Sequence, residues 1–115
     1  MSLINVTNRT ITIVDNKGYI IVDIHPSGII VAASITPQVL ERIFQEEHEI
    51  EVVTYNYTEV SGLPKARPDT IYIVTYAVLQ ALKGARSDVI APDTSPTSII
   101  RQDGRVVGVQ RFRKL

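Results

Sequence analysis

The dipeptide Asp103-Gly104, inside "IIRQDGRVVGVQRF", places the tightest constraint on what this chain can fold into. Two runs of β-branched residues meet there at a pair that accepts positive φ, which is the geometry of a two-residue hairpin turn. Similar punctuation stands near the start, where "DNKG" at 15–18 separates "INVTNRTITIV" from "YIIVDI". Ile11 and Ile13 alternate with Thr10 and Thr12, the period of a half-buried strand. With "HPSG" at 25–28 as a further turn and "IIVAASI" after it, the first 35 residues read as a three-stranded meander. Met1, Ser2 and Leu3 carry no pattern of their own.

Further along, the signals change. Thr36 and Pro37 offer an N-cap oxygen and an N1 residue, and Val39, Leu40, Ile43 and Phe44 recur at helical spacing, so a short helix is expected over 37–47. "IEVVTYNY" at 50–57 reads as a strand with Glu51, Val53, Tyr55 and Tyr57 on one face. Residues 58–70 hold two prolines, a glycine and mixed charge, and read as the longest loop, a candidate mobile flap. "IYIV" at 71–74 is a buried strand or the start of a helix. Thr75 then caps a helix of two to three turns ending at Gly84, and "DVIA" is strand-like. The order β-β-β-α-β-β-α-β-β-β predicts one compact α+β domain over 1–115, with a mostly antiparallel sheet and two short helices.

Composition removes whole classes of function. Acidic and basic side chains balance at 12 each, so no global charge steers the chain to nucleic acid or an anionic membrane. Cysteine is absent, which excludes disulfides, thiolate metal sites and a cysteine nucleophile, and fits a reducing interior. Apolar runs such as Tyr19–Val22 and Ile29–Ala33 fall far short of the roughly 20 residues of a spanning helix. A basic n-region followed by an apolar h-region is not visible either, and a cytoplasmic protein is expected.

Catalytic chemistry finds little support. His25 lies in a turn, and His48 sits among Glu46, Glu47 and Glu49 at a spacing that matches no metal motif, as expected of a solvated charged segment. No nucleophile elbow, Walker loop or dinucleotide fingerprint is present. Neither a catalytic residue, a metal ligand nor a cofactor is assigned, and the reading leans away from an enzyme.

The loop after "DVIA" is the main candidate site. Asp93, Thr94, Ser95, Thr97 and Ser98 crowd between and after Pro92 and Pro96, and Arg101, Arg105 and Arg111 follow closely. Such hydroxyls and amides suit a phosphate or ribose, with arginine supplied alongside. They equally suit Asx- and ST-turns that satisfy the backbone where proline forbids a ladder. On one continuous strand Arg105, Arg111 and Arg113 would form a basic stripe, which could bind an anion or guard an exposed edge. Phe112 is the only aromatic there, which disfavours single-stranded nucleic acid.

Taken together, "NVTNRTITI", "YNYTEVSGLP", "DTIYIVTYAVLQAL" and "DVIAPDTSP" followed by "RQDGRVVGVQRF" resemble a widespread family of short uncharacterised proteins of bacteria, phages and prophages. That family opens on a strand like Asn-Leu-Thr-Pro-His, continues through a Gly-Leu-Pro phrase and an Ala-Pro-Asp-Thr loop, and closes on a hairpin ending Arg-Arg-Phe. The similarity spans most of residues 5–112. Asn8-Arg9 replace the family's Pro-His, and Thr75 replaces its serine. The resemblance implies an architecture and a genomic setting, with no activity attached, and it makes Asp93 and Thr94 part of a recurrent phrase.

Two functions are therefore expected. One is a non-catalytic binding module for a small anionic, nucleotide-like ligand carrying phosphate, held by the Asp93–Ser98 loop with Arg101, Arg105 and Arg111. The other is a homo-oligomeric interaction or structural module using exposed strands and the surfaces of Tyr55, Tyr57, Tyr72 and Tyr76.

Overall fold

Both turn signals produce hairpins. In the computed structural model, which describes Met1–Leu115, β2 (Ile11–Val14) and β3 (Ile20–Ile24) pair antiparallel across the Asp15–Gly18 turn. The Asp15 carboxylate holds that turn by accepting the Lys17 amide at 2.9 Å and the Tyr19 amide at 3.0 Å. Near the C-terminus β8 (Ile99–Gln102) and β9 (Arg105–Val109) pair across Asp103 and Gly104, whose φ values of 52° and 76° are both left-handed as the turn requires. β2 also meets β9 in parallel, which completes a four-stranded sheet in the order β3-β2-β9-β8. Gly108 permits that meeting, because a Cβ on it would stand 2.6 Å from the Thr12 carbonyl oxygen.

A second sheet forms from residues far apart in sequence. β1 (Ser2–Asn5), β6 (Thr70–Ile73) and β7 (Val89–Pro92) run parallel, and β10 (Phe112–Arg113) closes the order β1-β6-β7-β10 antiparallel to β7. Helix α1 (Tyr76–Leu82) makes the crossover that parallel neighbours β6 and β7 need. It starts where the Thr75 hydroxyl accepts the Val78 amide at 3.3 Å and ends at left-handed Lys83 and Gly84. Val78 and Leu79 face the sheet and join Val6, Val31, Tyr72, Val74, Val89 and Ala91 in the core.

The remaining elements overturn the expected fold class. Instead of an α+β domain with two short helices, the chain is predominantly β, with three sheets, ten strands and one helix, and the two larger sheets contain parallel pairs. Residues 37–47, expected as a helix, belong to β4 (Ala32–Gln45), which pairs antiparallel with β5 (His48–Ser61) in a hairpin of two 14-residue strands. The spacing of Val39, Leu40, Ile43 and Phe44 misleads because a bulge at Leu40 shifts the strand's parity and imitates a helical period. Pro37 sits within β4, where its missing N–H is tolerated because the ribbon has an open edge on each side.

The expected opening meander also divides. Val6–Thr10 turns the chain between β1 and β2, so the first two segments enter different sheets, and residues 25–31 form a strap before β4. Asn5 dictates that break. Its buried amide donates to the carbonyls of Arg9 at 2.7 Å and Ile24 at 2.9 Å, while its Oδ1 accepts the Thr7 amide at 2.9 Å and the Thr7 hydroxyl at 2.6 Å. Ser2 and Leu3, patternless in sequence, pair with Thr70 and Ile71. The expected flap is shorter than predicted and tied down, since β5 runs to Ser61, Arg86 donates to the Pro64 carbonyl at 2.9 Å and the Tyr72 hydroxyl donates to that of Lys65 at 3.2 Å. No helix is long and apolar enough to cross a membrane.

The β4–β5 hairpin shapes the molecule. A compact chain of this length would have a radius of gyration of about 13 Å; here it is 17.3 Å, with extents of 56 × 40 × 22 Å. Only the base of the hairpin packs on the body, through Ala33 and Val60 against the core and through contact with α1.

Candidate functional site

Proline at 92 and 96 denies the 92–98 loop a regular ladder, and its polar side chains supply the missing bonds. Asp93 Oδ1 accepts the Ser95 amide at 3.0 Å, and Asp93 Oδ2 accepts Arg111 Nε at 2.9 Å. Arg111 also donates to the Thr97 hydroxyl, which lies 3.0 Å from that of Ser95. Ser98 is fully buried, and its hydroxyl accepts the Gln110 amide at 3.0 Å. The Ser95 amide, then the Ser95 side chain and the Arg111 guanidinium, hold the Asp93 carboxyl below the usual carboxylate range.

The predicted site residues thus separate into groups. Asp93, Ser95, Thr97 and Arg111 come together and bond one another, while Ser98 serves the backbone of Gln110. Arg101 and Arg105 lie outside that network on exposed parts of the β8–β9 hairpin, with no acidic partner. The predicted basic stripe is broken, because Arg105 belongs to β9 in one sheet and Arg113 to β10 in the other, where it stacks 4.5 Å from the centroid of Tyr76. Thr94 lines an open cleft of about 360 Å³ with Asn8, Arg9, Thr75 and Tyr76, and a second opening of about 510 Å³ with Pro96, Ile99 and Arg101. Arg9 has no ion-pair partner, so it is the cation available to that cleft. In the sequence it registered only as half of the Asn8-Arg9 departure.

Of the four tyrosines expected at an interface, Tyr72 is buried in the core and Tyr57 is half-buried; Tyr55 and Tyr76 are exposed. Tyr55 lies on the feature that the sequence left hidden, the β4–β5 arm. Cross-strand partners share a face of a ribbon. Toward the base, Ile35 with Tyr57, Pro37 with Tyr55 and Val39 with Val53 make one face apolar. Past the Leu40 bulge, Ile43 pairs with Ile50, three residues from Val53 along β5 and hence on the opposite face. Apolar groups consequently stand on both faces, with Leu40 62% and Phe44 73% exposed. At the tip Glu46 and Glu47 both adopt positive φ, 50° and 69°, a conformation disfavoured for side-chain-bearing residues.

The arm also concentrates one sign of charge. It holds all six glutamates of the chain, at 41, 46, 47, 49, 51 and 59, against one basic residue, Arg42. Arg42 is shared between Glu49 at 3.0 Å and Glu51 at 3.8 Å. Since the whole chain balances at 12 and 12, the body carries the compensating positive excess. Acidic, apolar and exposed on two faces, the arm is a surface suited to docking and unsuited to nucleic acid. No family model, curated protein or solved structure matches the chain.

Proposed function

We propose that this protein is a non-enzymatic interaction module that assembles into homo-oligomers through its β4–β5 arm. The observation that carries the reading is a pair of 14-residue strands with exposed apolar side chains on both faces. A two-stranded ribbon is marginally stable in water unless something packs on it, and exposed apolar patches of this kind mark interaction surfaces. A cytoplasmic location belongs to the same proposal, on the cysteine-free composition. Replacing residues 37–55 by Asn-Gly tests it. At tens of micromolar the intact chain should sediment above its 12.8 kDa monomer mass, and the shortened chain should sediment as a folded monomer. A single monomeric species for the intact chain would overturn the reading.

A second reading draws support from the cleft beside Thr94. Arg9, with no carboxylate partner, stands there next to hydroxyl groups, a combination suited to a small phosphate-bearing ligand. Arg111 is engaged by Asp93, so this anion reading rests on Thr94 with Arg9 in one opening and with Arg101 in the other. Phosphate and mononucleotides should raise the melting temperature of the intact chain, and Arg9→Ala should abolish that shift.

A further inference from the structure

Resting on the second reading, in which the surface beside Thr94 takes a phosphate-bearing ligand, we infer that this ligand is a mononucleotide, with its phosphate at Arg9 and its base against Tyr76. Strand direction places the site. β1, β6 and β7 are parallel neighbours, and beyond their carboxyl ends the chain departs to different elements: from β1 to β2 in the other sheet, from β6 into α1, and from β7 into the Asp93 loop. Where neighbouring parallel strands part company in this way a crevice opens, and ligands of open sheets bind there. All three departing segments line the cleft of about 360 Å³, with Asn8 and Arg9 after β1, Thr75 and Tyr76 after β6, and Thr94 after β7. That volume lies at the lower end of the range of small-ligand pockets, about 300 to 1,000 Å³, and suits one nucleotide rather than two.

Buried groups set the position of the cation. The Arg9 carbonyl accepts the Asn5 side-chain amide at 2.7 Å and the Thr7 hydroxyl at 3.1 Å, and the Arg9 backbone N–H donates to the Thr7 hydroxyl oxygen at 3.3 Å. Asn5 and Thr7 are 1% and 5% exposed, so the core fixes the backbone of an exposed arginine. Fixing it beforehand lowers the ordering that binding would cost. Tyr76, 42% exposed, brings an aromatic ring to the same cleft. Its hydroxyl accepts from the Gln80 side-chain amide and the Arg113 guanidinium lies 4.5 Å from the ring centroid, which together hold the ring in place. No carboxylate lines the cleft, and Asp93, beside Thr94, is taken by Arg111 at 2.9 Å. Thr94 keeps its hydroxyl free, whereas Asp93, Ser95, Thr97 and Ser98 around it are bonded within the chain. The second opening lacks these features. Arg101 shares it with Thr94, Pro96 and Ile99, no aromatic side chain lines it, and Asp103 follows two residues later.

Titration calorimetry on the full chain tests this with adenosine monophosphate, adenosine and inorganic phosphate as probes. The monophosphate should bind at least tenfold more tightly than adenosine or phosphate, since each of those satisfies only one part of the cleft. Arg9→Ala should weaken the monophosphate at least tenfold, and Tyr76→Leu should do the same while leaving inorganic phosphate unchanged. Arg101→Ala should alter neither. Arg9, Tyr76 and Arg101 are all exposed, and circular dichroism checks that each variant is folded. As a measurement independent of any variant, nuclear Overhauser contacts should join the base protons to the Tyr76 ring. If the monophosphate binds no more tightly than phosphate, or its base protons show no contact with Tyr76, the mononucleotide is wrong and the phosphate reading survives. If Arg101→Ala abolishes binding and Arg9→Ala does not, the ligand lies in the other opening and the site proposed here is overturned. If adenosine binds as tightly as the monophosphate, or no probe binds at about 1 mM, the second reading falls together with this inference.

Discussion

Asn5 and Leu40 are both strand residues, and they obey opposite rules. Asn5 is 1% exposed and each of its side-chain polar atoms is satisfied by protein, whereas Leu40 is 62% exposed at a bulge where it has no cross-strand partner. Around Asn5 the body completes itself: no buried side-chain polar atom lacks a partner, and the core residues enclose one another. Around Leu40 the arm closes its backbone ladder and leaves its side chains to water. Body stability should therefore depend on single buried groups, while changes along the arm should register mainly in association.

That contrast can be broken first at Asn5. Asn5→Leu strands the Arg9 and Ile24 carbonyls and the Thr7 amide, and should cost about 3 kcal/mol or more in urea unfolding. A loss comparable to that of an exposed substitution would remove the node from the body's account. Next comes Gly108→Ala, which pushes a methyl group against the Thr12 carbonyl and Val14 and should cost roughly 2 kcal/mol with the β2–β9 contact loosened. Unchanged hydrogen exchange in β2 would contradict the close approach.

Arg86 sharpens the comparison through pH. It binds both oxygens of Asp88 at 2.8 Å, and Arg86→Ala should cost roughly 1.5 kcal/mol at neutral pH. The Arg86 side-chain bond, more than any other influence, holds the Asp88 carboxyl below its ordinary value. A folded pKa below the unfolded one gives stability that is present above about pH 4 and lost as pH falls through the folded pKa. Acid titration of melting temperature should show that loss, and Asp88→Asn should flatten it.

Smaller effects belong to the arm. Replacing Glu46 and Glu47 by Asn-Gly relieves two left-handed side-chain-bearing residues, and should protect arm amides by about 1 kcal/mol while global melting hardly moves. Leu40→Ser should change monomer stability by less than about 0.5 kcal/mol and still weaken assembly. A large loss of monomer stability would mean that the arm is folded onto its own body in solution.

The sequence determined those features whose cause is local. Asp103-Gly104 and the Asp15 turn specify their hairpins through φ and side-chain bonds within a few residues, and Thr75 with Gly84 marks the ends of α1 for the same reason. The Asp93 loop was half legible: its hydroxyls and prolines left open both turn bonding and ligand binding, and the packing of Arg111 onto Asp93 turns most of the cluster inward. Tertiary structure alone decided what depends on pairing at a distance. Glu46-Glu47 carries no turn signal, so only the register of β4 against β5 reveals a hairpin there. The apolar spacing from Val39 to Phe44 fits a helix as well as a bulged strand, and thirteen cross-strand pairs select the strand. Asn5 likewise looks like any strand residue until its amide finds Ile24, nineteen positions away. Dihedral preference is written residue by residue, whereas a β ladder is an agreement between segments, and neither segment contains that agreement by itself.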